Sequence, residues 1–197
     1  MKLFICVLLI ILAYFLGNIS PSMLLGKMKG VDIKNEGSGN AGTTNALRVL
    51  GAKAGVLTFA LDILKGFIAV WFALQFSTFY CAYICVIAVI FGHIWPALYK
   101  FKGGKGVATS IGATLAISPI VTLVVTVFSL GMVAVSKKVS VGSLTAAAVY
   151  PVATFIFVRE FFPFALILCL TIVIKHRENI KRLINGEEKN IIIKKEK

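Results

Sequence analysis

Two short segments of this chain concentrate the residue types that proteins use to bind phosphate. Residues 37–48 and residues 101–106 both combine glycine with cationic side chains, and the first also carries hydroxyls and amides. Glycine lets backbone N–H groups come close to a bound anion, and a nearby cation neutralises the anion's charge. Each segment lies between apolar stretches that are long enough to enter a bilayer. The pattern therefore predicts a membrane protein that handles phosphorylated substrates at the membrane surface.

The first loop, residues 37–48, contains the larger set of candidate ligands. Its candidate phosphate-binding residues are Gly37, Ser38, Gly39, Asn40, Thr44 and Asn45. Arg48 has the best-matched chemistry, because a guanidinium group binds phosphate bidentately. We expect Arg48 in the first turns of a helix that continues into the following apolar block. A flexible turn explains the glycines but not the polar side chains crowded beside them.

The second loop, residues 101–106, ends where a helix is expected to begin, at Val107. Gly103, Gly104 and Gly106 allow close backbone approach, and Lys105 supplies a positive point charge. The N-terminus of the following helix adds its dipole at the same position. An ordinary basic juxtamembrane turn is the alternative, and it accounts well for the lysines that precede Gly103.

Two familiar nucleotide-binding motifs are excluded. Gly37, Gly39 and Gly42 have the spacing of a dinucleotide-binding loop, but a membrane span is expected where that motif requires a strand. Lys105 is followed by Gly106 rather than by the Ser or Thr of a Walker A loop. No cofactor is predicted, and nothing in the sequence has the spacing of metal ligands, so no metal is predicted.

Composition places the chain in the integral membrane class. It has 197 residues, of which 58% are hydrophobic and 15% charged, whereas about a quarter of a soluble domain is charged. The net charge of +13 is concentrated beside the apolar blocks, which indicates cytoplasmic basic segments rather than a nucleic-acid interface. No polar stretch is long enough to fold alone, so residues 1–197 are predicted to form one domain. The four cysteines lie in apolar stretches and are interpreted as packing residues.

The predicted fold is an all-α, polytopic membrane helix bundle with about seven transmembrane helices. The clearest spans are residues 3–25, 51–74, 79–98, 139–158 and 161–174, and the last two form a tight hairpin. The first block is interpreted as a span rather than a cleaved signal peptide, because it lacks a clear cleavage site.

The apolar segment of residues 107–135 is longer than one ordinary span requires, but it is short for two spans. Ser118-Pro119 near their middle predicts a turn. Two crossings keep every basic segment, including the tail beyond Lys175, on the cytoplasmic side. We therefore predict the N-terminus outside and the C-terminus inside; five full spans with a re-entrant pair is the alternative, with the same orientation. Both glycine-rich loops and the tail then lie on one face of the membrane.

Two sets of ionisable residues add to the candidate site. Asp62 and Lys65 are three apart within a span, and such residues either pair with each other or line a polar cavity. Both a salt bridge and a supporting role in the site fit this spacing, and His93 is interpreted as an interfacial hydrogen-bonding residue. His176 and Asn179 share a helix face, and histidine exchanges a proton near neutral pH. The alternative for this pair is a basic amphipathic exit helix that lies on the membrane.

Four motifs in order along the chain resemble those of one enzyme family. They are Gly-Ser-Gly-Asn-x-Gly-x-Thr-Asn-x-x-Arg (37–48), Asp-x-x-Lys-Gly (62–66), Gly-His-x-x-Pro (92–96) with Phe-Lys-Gly-Gly-Lys-Gly-Val-Ala-Thr (101–109), and His-Arg-x-Asn-Ile-x-Arg-Leu-x-x-Gly-x-Glu (176–188). The chain resembles the bacterial acyl-phosphate-dependent glycerol-3-phosphate acyltransferases, the PlsY family, over nearly its whole length.

The resemblance implies transfer of a fatty acyl group from acyl phosphate to the 1-hydroxyl of sn-glycerol 3-phosphate, the first step of phospholipid synthesis. The products are lysophosphatidic acid and phosphate. The family's functional residues fall on Ser38, Arg48, the loop from Gly103 to Gly106, His176, Asn179 and a structural Glu188. The implied partners are both substrates, membrane lipid and the enzyme that makes acyl phosphate, but not nucleic acid. The implied location is the bacterial cytoplasmic (inner) membrane, with the site on its cytoplasmic face.

The chemistry suits positioning rather than covalent catalysis, because acyl phosphate already has a good leaving group. The candidate catalytic residues are Ser38, Arg48, Lys105, His176 and Asn179, and the supporting residues are Asp62, Lys65, His93 and Glu188. The general base is either His176 or an oxygen of the acyl phosphate, and a nucleophilic role for Ser38 ranks below positioning. A transporter for a phosphorylated anion and a non-catalytic lipid-binding scaffold are the rival classes.

Overall fold

The computed structural model describes residues 2–191, and these residues form helices and loops without a strand. The helices are α1 (Lys2–Asn18), α2 (Pro21–Met28), α3 (Thr43–Leu50), α4 (Ala52–Phe76), α5 (Phe79–Ile94), α6 (Val107–Ile117), α7 (Pro119–Ser136), α8 (Val139–Phe157), α9 (Phe162–Lys175) and α10 (Arg177–Ile184). Short 3₁₀ turns occupy Ala97–Tyr99 and Arg159–Phe161. The all-α prediction is confirmed for this part of the chain. The end of the predicted basic tail, residues 192–197, lies outside the described residues.

Within residues 2–191, five helical stretches are long and apolar enough to cross a membrane. They are Lys2–Met28, Ala52–Phe76, Phe79–Tyr99, Pro119–Ser136 and Val139–Phe157. The first stretch is not one continuous helix, because Pro21 begins α2 after a break that follows Asn18. These stretches confirm a multi-pass helical membrane fold.

The predicted turn in residues 107–135 is confirmed at Ser118-Pro119. The helix α6 ends at Ile117, and the Ser118 hydroxyl accepts a hydrogen bond from the Val121 N–H at 3.4 Å to cap α7. With 11 residues, α6 is shorter than the ~30 Å hydrocarbon core at about 1.5 Å per residue. The seven-span count, the re-entrant alternative and the orientation of the termini therefore stay predictions.

The described residues fall into two compact units, residues 2–117 and residues 118–191. The organisation of residues 1–197 as one domain stays a prediction. Each unit is held by its own helix pairs, with α1 on α5 and α4 on α6 in the first, and α7 on α8 and α8 on α9 in the second.

Glycines set the close helix crossings of the first unit. At the α1–α5 crossing, a Cβ on Gly17 would lie 3.0 Å from the Cα of Gly92, and a Cβ on Gly92 would lie 2.9 Å from the carbonyl carbon of Tyr14. At the α4–α6 crossing, a Cβ on Gly66 would lie 3.0 Å from the Ala113 nitrogen. Small residues let helix backbones approach in a bilayer, where association depends on close contact rather than on the hydrophobic effect.

The second unit contains the helical hairpin that the sequence predicts. The helices α8 and α9 are joined by the 3₁₀ turn Arg159–Phe161, and the Arg159 guanidinium lies 5.0 Å from the centre of the Phe155 ring. The Ser129 hydroxyl of α7 donates a hydrogen bond to the Gly142 carbonyl of α8 at 3.0 Å. The helix α8 also packs on α9, so the three helices α7, α8 and α9 are joined through α8.

Two of the four cysteines are not simple packing residues. Cys6 in α1 and Cys81 in α5 form a disulfide across 75 residues of sequence, which corrects the interpretation made from composition. Cys85 and Cys169 are free thiols, as that interpretation requires. The disulfide ties together the two helices that cross at Gly17 and Gly92.

Replacing Gly92 by Ala tests the α1–α5 crossing. The new methyl would meet the Tyr14 carbonyl, so we expect the variant to lose about 1–3 kcal/mol of stability. Thermal unfolding of the detergent-purified protein measures this loss. The matched control is Gly131→Ala in α7, where a Cβ meets nothing within 4 Å, so its melting temperature should be unchanged or slightly raised. Equal melting temperatures for the two variants would contradict the close crossing.

Candidate active site

The first loop is organised around the side chain of Asn45. Asn45 is fully buried, and its Oδ1 accepts a hydrogen bond from the Ser38 N–H at 2.8 Å. Its Nδ2 donates to the carbonyls of Ile33 at 2.9 Å and Glu36 at 3.0 Å. Both amide hydrogens are therefore engaged within the loop. Asn45 therefore shapes the loop, and its assignment to phosphate binding stays a prediction.

Ser38 lies at the tip of this loop. It is exposed, and it sits between Gly37 and Gly39, whose φ angles are 65° and 66°. Other residues rarely adopt this left-handed conformation. The neighbouring candidates Asn40 and Thr44 are half-buried, and the Gly39 N–H is engaged with the Glu36 carbonyl at 3.0 Å. The loop thus presents the Ser38 side chain outward on a fixed backbone.

The sequence predicts Arg48 in a helix that continues into the second span, and this prediction is wrong. Arg48 is exposed in the last turn of the separate helix α3, which ends at Leu50. Gly51, with φ of 92°, interrupts the helix before α4 begins at Ala52. The Lys29 ammonium donates to the Leu50 carbonyl at 3.0 Å and holds this break in place. A turn with left-handed φ thus allows α3 to take a direction independent of the span.

The second loop folds back onto the end of α5. The Gly103 N–H donates to the Ile94 carbonyl at 3.2 Å, and the Gly104 N–H donates to the His93 carbonyl at 3.0 Å. These two N–H groups are therefore engaged with the end of α5, and the assignment of this loop to phosphate stays a prediction. Gly106 has φ of 86°, and α6 begins at Val107 as predicted.

The two glycine-rich loops meet within the first unit. The Lys34 ammonium, from the segment leading into the first loop, donates to the Lys102 carbonyl of the second. A Cβ on Gly104 would lie 3.1 Å from the Ala41 carbonyl oxygen of the first loop. Lys105 follows directly on Gly104 and is half-buried. Residues 37–48 and 101–106, separate in sequence, are thus neighbours in space.

Asp62, Lys65 and His93 form a buried ionic cluster beneath the second loop. The Lys65 ammonium lies 2.7 Å from the Asp62 carboxylate, and the pair is only 5% and 1% exposed. The His93 Nδ1 lies 3.3 Å from the same Asp62 oxygen and 2.9 Å from the Lys65 ammonium. The salt bridge within the helix is confirmed. His93, interpreted from sequence as an interfacial residue, is instead a buried member of the cluster.

In the second unit, His176 lies at the junction of α9 and α10. It is buried, and its Nδ1 is 2.8 Å from the Ile172 carbonyl oxygen. Because a carbonyl oxygen only accepts, Nδ1 carries the hydrogen, and in the neutral ring the lone pair is on Nε2. The ring is therefore held in the form that can accept a proton at Nε2.

Asn179, one turn further along α10, is held by Glu188. Its Nδ2 donates to one Glu188 oxygen at 2.7 Å, and the Arg182 Nε is 2.7 Å from the other. Burial raises the pKa of Glu188, but the hydrogen bonds from Asn179 and Arg182 and the positive charge of Arg182 outweigh burial and hold the pKa below its usual value. Arg182 is thus part of a buried clasp, which the alternative of a purely membrane-lying basic helix does not explain.

The structure assigns the predicted site residues to the two units. Residues 2–117 contain Ser38, Arg48, Lys105 and the buried cluster, and residues 118–191 contain His176, Asn179 and Glu188. The union of both sets in one site stays a prediction. The candidate residues did not include Asn18, which is fully buried, donates to the Tyr14 carbonyl at 2.7 Å and accepts from the Leu98 N–H at 3.2 Å. An amide inside an otherwise apolar block was the signal that could have identified it.

The fold and the two joined loops define a polytopic helical membrane protein with a basic, glycine-lined polar region. The chain belongs to the glycerol-3-phosphate acyltransferase family, the PlsY family of membrane acyltransferases, because the family model described as glycerol-3-phosphate acyltransferase matches residues 7–186. It is therefore an acyltransferase of the integral membrane class.

Relatives and solved structures match nearly the whole chain. The glycerol-3-phosphate acyltransferase of Clostridioides difficile strain 630 is 43% identical, with 100% of each chain covered. That of Alkaliphilus metalliredigens is 47% identical over 93% of this chain and 95% of its own. A crystal structure of PlsY (YgiH), an integral membrane glycerol 3-phosphate acyltransferase in its glycerol 3-phosphate form, is 39% identical over 94% of each chain, with a TM-score of 0.90. The lysophosphatidic acid form has a TM-score of 0.87 at 38% identity and covers 95% of this chain and 96% of that one.

Replacing Glu188 by Gln tests the clasp on Asn179. A carboxylate with a lowered pKa stabilises the fold above its unfolded-state pKa, and this stabilisation is lost as the pH falls through the lower folded-state value. We expect Glu188→Gln to cost about 1–3 kcal/mol at neutral pH, because buried donors lose a charged acceptor. Melting temperatures over a pH series should show the difference from wild type shrinking towards acid pH.

The neighbouring Glu187 supplies the matched control, since it is exposed. Glu187→Gln should leave the melting temperature nearly unchanged at every pH. A Glu188→Gln variant that behaves like Glu187→Gln would show that the clasp does not hold Asn179.

Proposed function

We propose that this acyltransferase moves a fatty acyl group from acyl phosphate to the 1-hydroxyl of sn-glycerol 3-phosphate. The products are lysophosphatidic acid and inorganic phosphate. The observation that carries the proposal is the meeting of the two basic glycine-rich loops beside Gly104 and Ala41. Membership of the family and the glycerol 3-phosphate and lysophosphatidic acid forms of PlsY support the same acceptor and product.

The main physical problem of this reaction is to hold two phosphorylated reactants side by side. Arg48 on α3 and Lys105 on the second loop are the cations we assign to this task. A guanidinium group binds phosphate bidentately, and an ammonium group neutralises it as a point charge. The exposed Ser38 hydroxyl supplies a hydrogen-bond donor at the same loop. Proximity and charge neutralisation then contribute most of the rate enhancement.

The chemical step requires no covalent enzyme intermediate. The 1-hydroxyl oxygen attacks the acyl carbonyl carbon, the bond from that carbon to the phosphate oxygen breaks, and phosphate leaves with the bonding electron pair. The hydroxyl proton goes either to an oxygen of the departing phosphate or to His176 Nε2. We favour the phosphate, because it lies next to the attacking hydroxyl. The role of Asn179 is to orient substrate, with its own orientation fixed by Glu188.

We assign the protein to the bacterial cytoplasmic membrane, with the loops on the cytoplasmic face. The basic residues of both loops support this assignment, because Lys and Arg mark the cytoplasmic ends of spans. The acyl chain would remain among the helices and in lipid, while the small acceptor enters from water. An enzyme that makes acyl phosphate is the expected neighbouring partner.

Turnover by the purified protein is the test of this function. The protein in mild detergent should release phosphate from acyl phosphate only when glycerol 3-phosphate is added, and lysophosphatidic acid should appear in equal amount. Phosphate release at the same rate with and without glycerol 3-phosphate would contradict acyl transfer to this acceptor. The absence of turnover together with anion uptake in vesicles would favour a transporter instead.

Three substitutions test the assigned residues. Arg48→Ala removes a charged phosphate contact and should lower kcat/KM by about 10- to 100-fold. Ser38→Ala and His176→Ala should also lower it, each through a lost hydrogen bond or proton acceptor. Arg159→Ala is the matched arginine control, because Arg159 contacts the Phe155 ring at the α8–α9 turn, and it should retain wild-type turnover. Full activity of all three site variants would refute the assignment.

A further inference from the structure

The buried cluster of Asp62, Lys65 and His93 connects three separate parts of the first unit. The Lys65 ammonium donates to the carbonyls of Gly17 at 3.1 Å and Ile19 at 2.6 Å, which lie at the break between α1 and α2. His93 brings in the end of α5. The cluster therefore joins the broken first span, the second span and the end of the third.

The charges of the cluster hold its side chains in one arrangement. Four polar atoms lie within 3.1 Å of the Lys65 ammonium, namely the Asp62 carboxylate, the His93 Nδ1 and the two carbonyl oxygens. An ionised group that is buried this deeply is strongly destabilised unless all of its hydrogen-bonding capacity is used. Rotation of the His93 ring would separate its Nδ1 from both the Lys65 ammonium and the Asp62 carboxylate. The imidazole is therefore held by its contacts with both charged side chains.

The far side of the His93 ring lies against Gly104 of the second loop. A Cβ on Gly104 would clash with His93 Nε2 and would lie 2.7 Å from Cε1. The Gly104 N–H also donates to the His93 carbonyl at 3.0 Å. On its other side, the same Cβ would lie 3.1 Å from the Ala41 carbonyl oxygen. Gly104 is therefore enclosed between the His93 ring and the first loop.

We propose that His93, fixed by Asp62 and Lys65, is a positioning residue that sets the second loop against the first. The ring limits how closely the Gly104 backbone packs against α5. It therefore sets the position of the adjacent Lys105. The consequence for binding rests on the proposed function, because Lys105 is assigned there to a substrate phosphate. His93 acts through the loop and does not touch the reacting atoms.

A steric double-mutant cycle tests this contact. The four proteins are wild type, Gly104→Ala, His93→Ala and the double variant. Truncating His93 removes the two nearest atoms that a methyl on Gly104 would meet and leaves only the Ala41 carbonyl oxygen at 3.1 Å, so the two substitutions should partly compensate each other.

The matched control is the same cycle with Gly103→Ala. A Cβ on Gly103 meets the His93 carbonyl oxygen, the Ile94 carbonyl oxygen at 2.9 Å and Pro96 Cδ at 2.6 Å. Truncating the His93 side chain removes none of these atoms. The Gly103 cycle should therefore show no compensation.

Calorimetric titration with glycerol 3-phosphate and steady-state kinetics give the readouts. Gly104→Ala should weaken binding by about 100-fold, through displacement of the loop, and should raise KM for glycerol 3-phosphate more than it lowers kcat. The double variant should bind about tenfold more tightly than Gly104→Ala alone. Additive losses in the Gly104 cycle, or equal compensation in the Gly103 cycle, would overturn the proposal.

Thermal unfolding of the same variants keeps this test independent of the proposed function. If wild type fails to bind glycerol 3-phosphate, the proposed function fails, but the melting temperatures still report whether His93→Ala offsets Gly104→Ala. If Gly104→Ala cannot be recovered as folded protein, recovery of the double variant in folded form supports the contact. Failure of the double variant to recover, while His93→Ala alone folds, contradicts it.

Discussion

A single buried ammonium group constrains much of the first unit. Lys65 lies on a membrane-spanning helix and is only 5% exposed, in surroundings where an unpaired charge is very costly. Its partners are a carboxylate one turn away, an imidazole from the third span and two carbonyls released by the break in the first span. Those carbonyls accept from Lys65 because the break at Pro21 leaves them without helical partners. The break, the ion pair and the end of α5 therefore depend on each other.

Close backbone contacts at glycines connect the Lys65 cluster to the two loops. Gly17 and Gly92 allow α1 to approach α5, which brings the broken span next to His93. Gly104 then lies directly on the His93 ring, and Ala41 of the first loop lies on Gly104. A side chain at either crossing or at Gly104 would separate these layers. The glycines of this chain thus act more through the space they leave than through the N–H groups they expose.

The second unit repeats the same principle on a smaller scale. Glu188 is buried, and it is satisfied by Asn179 and Arg182 from the helix that carries the candidate chemistry. The carboxylate fixes the amide, as Lys65 fixes the imidazole of His93. In both units, a buried charge with several polar partners orients a polar side chain.

The sequence predicted those features that depend on neighbouring residues. The turn at Ser118-Pro119, the start of α6 at Val107, the α8–α9 hairpin and the Asp62–Lys65 pair all follow from local spacing and were confirmed. The particular residue pairs that join distant segments were not predicted, because periodicity does not show which distant residues are in contact. The disulfide of Cys6 with Cys81, and the place of His93 in the cluster, are of this kind.

The candidate site shows the same division between local and distant information. Residue types alone identified the two loops, and their meeting through Gly104 and Ala41 agrees with the predicted convergence of these segments. The same reasoning assigned the N–H groups of Gly103 and Gly104 to phosphate, whereas they bond to the end of α5. The same reasoning also predicted that α3 continues into the second span. A hydrophobic pattern does not show the left-handed φ of Gly51, which separates the two helices.

Hydrogen exchange of a Lys65→Met variant tests most directly whether the buried charge holds these layers together. In wild type the amides of Leu98, Gly103 and Gly104 are hydrogen-bonded to Asn18, Ile94 and His93. Loss of the ammonium should make these amides exchange at least about tenfold faster, while amides of α8 in the other unit keep their wild-type rates. Unchanged protection at Leu98, Gly103 and Gly104 in a folded Lys65→Met protein would contradict the account.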